Sequence, residues 1–206
     1  MGHHGWDGDP PRTEELARER LIDAATACIA RMGVPKTTVS DVAAEVGVTR
    51  QTVYRYFPRL SDLLTAVAAT GAADYAERMT AHLASATTPI DVFVDSLLFS
   101  LRELPRDPRI GVLLEADDQG MLARGVTSAA GVELGARVLR DLSVDWAAFG
   151  IDDADLDGLA ELLMRTMVSF LQYPSPTLRS PAEIEQFVRR WLGPALGEST
   201  RRAKEW

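Results

Sequence analysis

A single cysteine, Cys28, stands in the 206 residues, which excludes an internal disulfide framework and any zinc site built on paired cysteines. Of the three histidines, His3 and His4 lie in the extreme N-terminal stretch and read as a tag remnant, leaving His82 alone in the rest of the chain. A serine or cysteine nucleophile needs a base beside it, and a di-metal helical bundle needs paired Glu-x-x-His motifs; neither pattern is present. No glycine-rich phosphate loop occurs. The expectation is therefore a protein that is not an enzyme, with no cofactor and no metal. No apolar run approaches a membrane span, and no charged-then-apolar leader precedes a cleavage site, so the expected location is cytoplasmic, without a membrane partner.

Basic charge is also scarce overall, with a formal net charge of −8, but the deficit is unevenly placed. Residues 12–60 hold eight Lys or Arg against six Asp or Glu, a balance of +2, whereas residues 61–206 hold fourteen against twenty-two, a balance of −8. An acidic body thus carries a mildly cationic head. So small an excess predicts few phosphate contacts per head, and two heads acting together. With 46% hydrophobic and 25% charged residues the composition is that of a globular protein, and the length suits one helical body with a small appended domain.

The most informative stretch is residues 37–57, TTVSDVAAEVGVTRQTVYRYF. Ser40 is expected to cap a short helix that begins at Asp41 and carries Val42, Ala43 and Val46 on its inner side. Gly47 falls where the chain must turn sharply. Thr49 is expected to cap a second short helix, on which Val53, Tyr56 and Phe57 return at helical spacing to face the first. Arg50, Gln51, Thr52, Tyr54 and Arg55 are left outward, and every one can donate a hydrogen bond. Two short helices with a small residue at Ala43 where they cross form a helix-turn-helix, whose second helix presents its N-terminal side chains to base edges in the major groove.

This block, with its closing Tyr54-Arg55-Tyr56-Phe57 cluster, resembles the DNA-binding segment of the tetracycline-repressor (TetR) family of bacterial transcription regulators, over about residues 14–64. The resemblance implies an all-α fold of about nine helices: an N-terminal three-helix DNA-binding domain and a C-terminal helical domain for ligand binding and dimerisation. The expected divisions are a flexible arm over 1–12, the DNA-binding domain over 13–60, and the effector-binding and dimerisation domain over 61–206. Arg50 and Gln51 are expected at base edges, Thr49, Tyr54 and Tyr56 on phosphates, Thr52 and Arg55 on either. Within the family, Thr38 also often anchors the DNA backbone through the cap of the preceding helix. One position departs: three residues past the closing Phe, where the family usually carries a phosphate-binding Lys or Arg, stands Leu60, with Arg59 just before it.

Ahead of the block, Thr13 is expected to cap a long helix with Leu16, Leu21, Ala24, Ala25, Cys28, Ile29 and Met32 inward and Gly33 at its end. Cys28 on that face reads as a buried structural thiol. Arg12, Arg18 and Arg20 lie near the helix start, where the family often touches the backbone. Behind the block, a helix from Ser61-Asp62 to about Ala84 connects head to body. Ile90, Phe93, Val94, Leu97, Leu98, Leu101 and Leu104 then recur at helical spacing up to Pro105 and Pro108. Acidic Glu115, Asp117 and Asp118 follow a short apolar stretch, one helix is expected from Met121 to Leu142 despite Gly125, Gly131 and Gly135, and Val144–Ile151 reads as a loop pinned by Trp146 and Phe149.

The last two helices have the broadest apolar faces. Leu156, Leu159, Ala160, Leu163, Met167, Phe170 and Leu171 form a stripe on the first, and Ile184, Phe187, Val188, Trp191 and Leu192 on the second, which opens on Ser180-Pro181-Ala182-Glu183 as cap, N1 proline and capping-box acid. Faces so wide need cover from two sides, so a homodimer is expected through Leu156, Leu163, Ile184, Phe187, Val188 and Trp191. The tail from residue 199 reads as solvated. The family resemblance further implies a small-molecule effector pocket, drawn here from Phe93, Leu97, Trp146, Met164, Met167 and Phe170 and suited to an apolar ligand. The expected partners are a palindromic double-stranded DNA operator, that effector and a second copy of the chain. The expected function is a ligand-responsive regulator, a repressor released by its effector; the alternative is a helical-bundle binding protein or enzyme that does not bind DNA.

Overall fold

The computed structural model describes residues 6–107, 109–115, 120–178 and 180–197. The first five residues with His3 and His4, the acidic pair Asp117 and Asp118, and the tail from residue 198 lie outside these, as does the side chain of Glu115. The described chain is all α, without a strand. Its ten helices are α1 (Glu14–Met32), α2 (Val39–Glu45), α3 (Arg50–Tyr56), α4 (Leu60–His82), α5 (Pro89–Glu103), α6 (Val112–Glu115), α7 (Met121–Val126), α8 (Ala129–Arg140), α9 (Asp155–Gln172) and α10 (Pro181–Leu192). Among the described residues no helix is long and apolar enough to cross a membrane.

The chain divides into two compact units, Met1–Ala73 with Leu104–Leu122, and Asp74–Glu103 with Ala123–Trp206, so the boundary falls within α4. In the first unit α1 packs on α2 and α2 on α3. Thr13 caps α1 as expected, accepting from the Leu16 amide, and Gly33 ends it at φ 77°. Leu21, Ala25 and Cys28 of α1, Val42 of α2, Val53 of α3 and Leu63 and Val67 of α4 are wholly buried. Burial pushes the Cys28 thiol up, the Glu45 charge adds to this, and Arg31 opposes it. The thiol is a core group. The short α6 contacts the Val34–Lys36 turn, and a Cβ on Gly71 of α4 would lie 3.0 Å from the Arg109 Cβ, so that segment rests close against the helix.

In the second unit α9 packs between α8 and α5, and α10 packs on α5. Phe93 and Leu97 of α5, Ala136 and Leu139 of α8, and Leu156 and Ala160 of α9 form its centre. Ser180 and Glu183 make the expected capping box at the start of α10. The segment 121–142, expected as one helix, is two. Ser128 caps α8 by accepting from the Gly131 amide, after the Ser128 hydroxyl has itself bonded to the Gly125 carbonyl. Trp146–Phe149 forms a 3-10 turn capped by Asp145.

Candidate nucleic-acid interface

Two threonines set the turn geometry. Thr38, not Ser40, caps α2: its hydroxyl accepts from the Asp41 amide while its own N–H and hydroxyl both donate to Asp41 Oδ2, at 2.8 and 2.6 Å. Sequence favoured Ser40 because a hydroxyl next to an acid resembles a cap; the Thr-x-x-Asp spacing, which closes both halves of a capping box, was the better signal. These hydrogen bonds from Thr38 hold the Asp41 carboxyl below its ordinary range. Both Thr38 donors are thereby engaged, so a phosphate would reach them by displacing Asp41.

Gly47, at φ 64°, makes the turn, a left-handed conformation that costs glycine no steric clash. Thr49 then caps α3, its Oγ1 accepting from the Thr52 amide at 3.1 Å and lying 3.0 Å from Thr52 Oγ1. Val53 and Phe57 anchor the helix in the core, and Ala43 at the crossing is also buried.

The opposite side of α3 faces outward. Arg50, Gln51, Tyr54 and Arg55 are exposed, Thr52 and Tyr56 half-buried. Tyr54 is 48% exposed. Arg50, Gln51 and Tyr54 make no side-chain hydrogen bond or ion pair among the described residues, whereas Arg55 donates to the Tyr56 hydroxyl at 2.6 Å and lies over its ring. Arg59 folds toward Asp62 at 3.3 Å yet stays 79% exposed, beside a half-buried Leu60.

Sequence reasoning missed the role of Arg18. Its Nη1 donates to the Tyr56 carbonyl at 2.7 Å and its guanidinium sits 4.2 Å over the Phe57 ring. A cation at the C-terminus of α3 satisfies an orphan carbonyl and opposes the helix dipole. No local pattern reveals this, because 38 residues separate donor and acceptor.

In the second unit the six pocket candidates lie on elements of one body: Phe93 and Leu97 buried on α5, Met164, Met167 and Phe170 on α9, and half-buried Trp146 in the 3-10 turn. Phe170 meets Phe187 of α10 edge-on, with centroids 6.4 Å apart, which puts it on the outer helix pair. Of the six interface candidates, Leu156 and Val188 are buried in the protomer itself at 3% and 2% exposure, because α8 and α5 already cover them. Leu163 and Ile184 are half-buried, and Phe187 and Trp191 are exposed at 43% and 63%. Leu162, 43% exposed on α9, is a further outward apolar side chain and was missed. Helical spacing finds an apolar stripe but cannot say which edge of it the chain's own core will use.

A three-helix head with a buried crossing and an outward, donor-bearing second helix defines a helix-turn-helix DNA-binding protein. The comparisons agree for this head: residues 21–67 match the bacterial regulatory proteins of the tetR family. Over 62 residues it is 44% identical to the HTH-type transcriptional repressor LfrR of Mycolicibacterium smegmatis, a match covering 28% of this chain and 32% of that protein. Among solved structures it is similar to RolR in complex with resorcinol, with TM-score 0.62, 20% identity and 90% of each chain covered. It is also similar to the repressor FadR of Thermus thermophilus in complex with lauroyl-CoA, with TM-score 0.55, 21% identity and 92% and 98% of the two chains covered. At such identities these two likenesses establish the fold.

Proposed function

We propose that this regulator is a cytoplasmic repressor that binds a palindromic operator as a homodimer and is released by a small apolar effector. The observation that carries the reading is the outward side of α3, where Arg50 and Gln51 stand exposed with their donors unengaged at the N-terminal end of a recognition helix. In this reading both reach base edges, Thr49, Tyr54 and Tyr56 meet phosphates, Thr52 and Arg55 serve either, and Thr38 steadies the backbone at the α2 cap. A second copy, joined through the outer face of α9 and α10, would present a second α3 about 34 Å away, one turn of duplex.

The effector reading rests on the apolar interior of the second unit and on two relatives of the same fold, one holding resorcinol and the other lauroyl-CoA. Such a ligand must bind the DNA-incompetent conformation better than the competent one, since tight binding alone shifts nothing. Repression is supported by the likeness, over 62 residues, to the transcriptional repressor LfrR. The test is Arg50→Ala in a selection from genomic fragments: loss of specific retention, with affinity down by about 1–3 kcal/mol at the true site, is expected. Unchanged affinity and sequence preference would overturn the assignment of α3.

A further inference from the structure

The segment before α1 is folded against the head. Trp6–Gly8 forms a 3-10 turn closed by the Asp9 amide donating to the Trp6 carbonyl at 3.0 Å. Two contacts hold it. The Trp6 ring meets Tyr56 edge-on, with centroids 6.3 Å apart, and Arg20 of α1 donates to both the Asp9 carbonyl and Asp9 Oδ2, the latter at 2.7 Å. Trp6 has φ 68°, a left-handed conformation that a bulky residue rarely keeps unless its surroundings hold it there.

A turn of this kind keeps its first and fourth Cα atoms within about 7 Å. Tyr56 and Arg20 therefore lie on one flank of the head, spanned by four residues. Tyr56 is one of the phosphate donors of the proposed DNA complex, so a duplex seated on α3 would bring its backbone to this flank. The guanidinium of Arg20 is a group on this flank suited to receive a phosphate, and a carboxylate occupies it. Around it, Asp9, Asp23 and Glu45 line the same groove with Trp6, Ala24, Ala27 and Val46, Glu45 being paired with Arg31 at 2.8 Å.

We propose that the Trp6–Asp9 turn competes in cis with the DNA backbone: Asp9 stands in for a phosphate on Arg20, Trp6 leans on Tyr56, and both withdraw when the duplex seats. This rests on the reading of α3 as the DNA-facing helix. The device weakens binding without altering which bases are read, because neither contact reaches Arg50 or Gln51. Its strength is bounded by the exposure of the pair: the Asp9 side chain is 83% exposed, which limits the ion pair to a few-fold effect per head.

The test uses the full chain and a labelled DNA duplex of mixed sequence, titrated over a range of salt. Asp9→Asn is expected to tighten binding by about two- to tenfold at low salt and to steepen the slope of log affinity against log salt by about 0.9 per head, as one more phosphate contact requires. Trp6→Ala should tighten binding less. Arg20→Gln added to Asp9→Asn should erase both the gain and the extra slope. Asp23→Asn controls for charge alone, since it removes an acid from the same groove without freeing Arg20. An unchanged slope in Asp9→Asn, a gain that survives Arg20→Gln, or an equal gain from Asp23→Asn each overturns the competition while leaving the head's DNA binding intact. Failure of every variant, and of the unmutated protein, to bind duplex overturns the reading of α3 and the competition with it.

Discussion

Arg18 and Tyr56 lock the recognition helix to the first helix: the guanidinium bonds to the carbonyl that ends α3 while covering the Phe57 ring. One side chain thus fixes both the end of α3 and the core residue behind it. Arg18→Leu keeps the apolar stem but removes the charge-assisted hydrogen bond and the stacking over Phe57, together worth about 1–3 kcal/mol. The expected outcome is a lower thermal midpoint and weaker operator binding, with the preferred sequence unchanged. Arg18→Lys should recover part of the stability but little of the stacked geometry. A shift in base preference in either variant would show that Arg18 itself reads DNA.

Gly131 is required by the turn that divides α7 from α8. A Cβ there would lie 2.2 Å from the Val126 carbonyl oxygen and 2.8 Å from that of Gly125, both backbone atoms that cannot swing aside. Helix propensity alone favours Ala over Gly by about 1 kcal/mol. The clash outweighs that gain, so Gly131→Ala should destabilise by about 2 kcal/mol or more in a denaturant titration. Gly135 provides the contrast. Its added Cβ meets chiefly the terminal methyl of Met164, at 2.5 Å, which can rotate away, so Gly135→Ala should cost far less.

These two glycines also show where the sequence stopped being informative. Gly47 and Gly33 were legible because each stands at the end of a periodic run with a threonine cap near by, and both adopt positive φ. The same local signals yielded the head, the caps at Thr13, Thr49 and Ser180, and the outward set on α3. Gly131 has no such flanking pattern; only the fold-back of Ser128 onto Gly125 makes it necessary. Long-range partners were equally silent. Arg18 with Tyr56, Arg20 with Asp9 and Arg189 with Asp91 are set by packing, and the burial of Leu156 and Val188 depends on which helices happen to cover them.

Arg189 of α10 donates to Asp91 at the start of α5 at 2.7 Å, and the Thr88 hydroxyl donates to the same carboxylate at 2.6 Å while accepting from the Asp91 amide at 3.3 Å. Burial opposes the charged form of Asp91, but the hydrogen bonds from Thr88 and Arg189 and the Arg189 charge prevail, so its pKa lies below the ordinary carboxylate value of 3.8. An acid whose folded pKa is depressed adds stability that is complete above its unfolded pKa and is lost as pH falls through the folded one. The protein should therefore lose this contribution below about pH 4, and Asp91→Asn should show a flatter decline there while starting about 1 kcal/mol lower at neutral pH. Chemical denaturation at pH 7 and at pH 3 checks the sign: equal decline in both proteins would mean the pair adds nothing.

Leu162 of α9 and Phe187 and Trp191 of α10 are exposed, and Phe170 of α9 meets Phe187 edge-on. Arg190 lies over Trp191, its Cζ 5.4 Å from the ring centroid, so the ring is partly screened by a side chain that can move. Exposed large apolar side chains on this helix pair suit a covered surface, and the dimer proposed above would bury them about a two-fold axis. Trp191→Glu places a charge in the proposed interface, and a two-fold interface contains that residue twice, so the penalty acts twice. The expected outcome is a monomer in sedimentation, with helical content retained because Trp191 contributes little to the protomer's own core. Leu156→Ala provides the counter-test: buried at 3%, it should lower protomer stability by about 2–5 kcal/mol and leave the dimer constant far less affected than Trp191→Glu does. A Trp191→Glu protein that sediments as the unmutated chain would remove this face from the proposed interface and, with it, the proposed spacing of two copies of α3 one duplex turn apart.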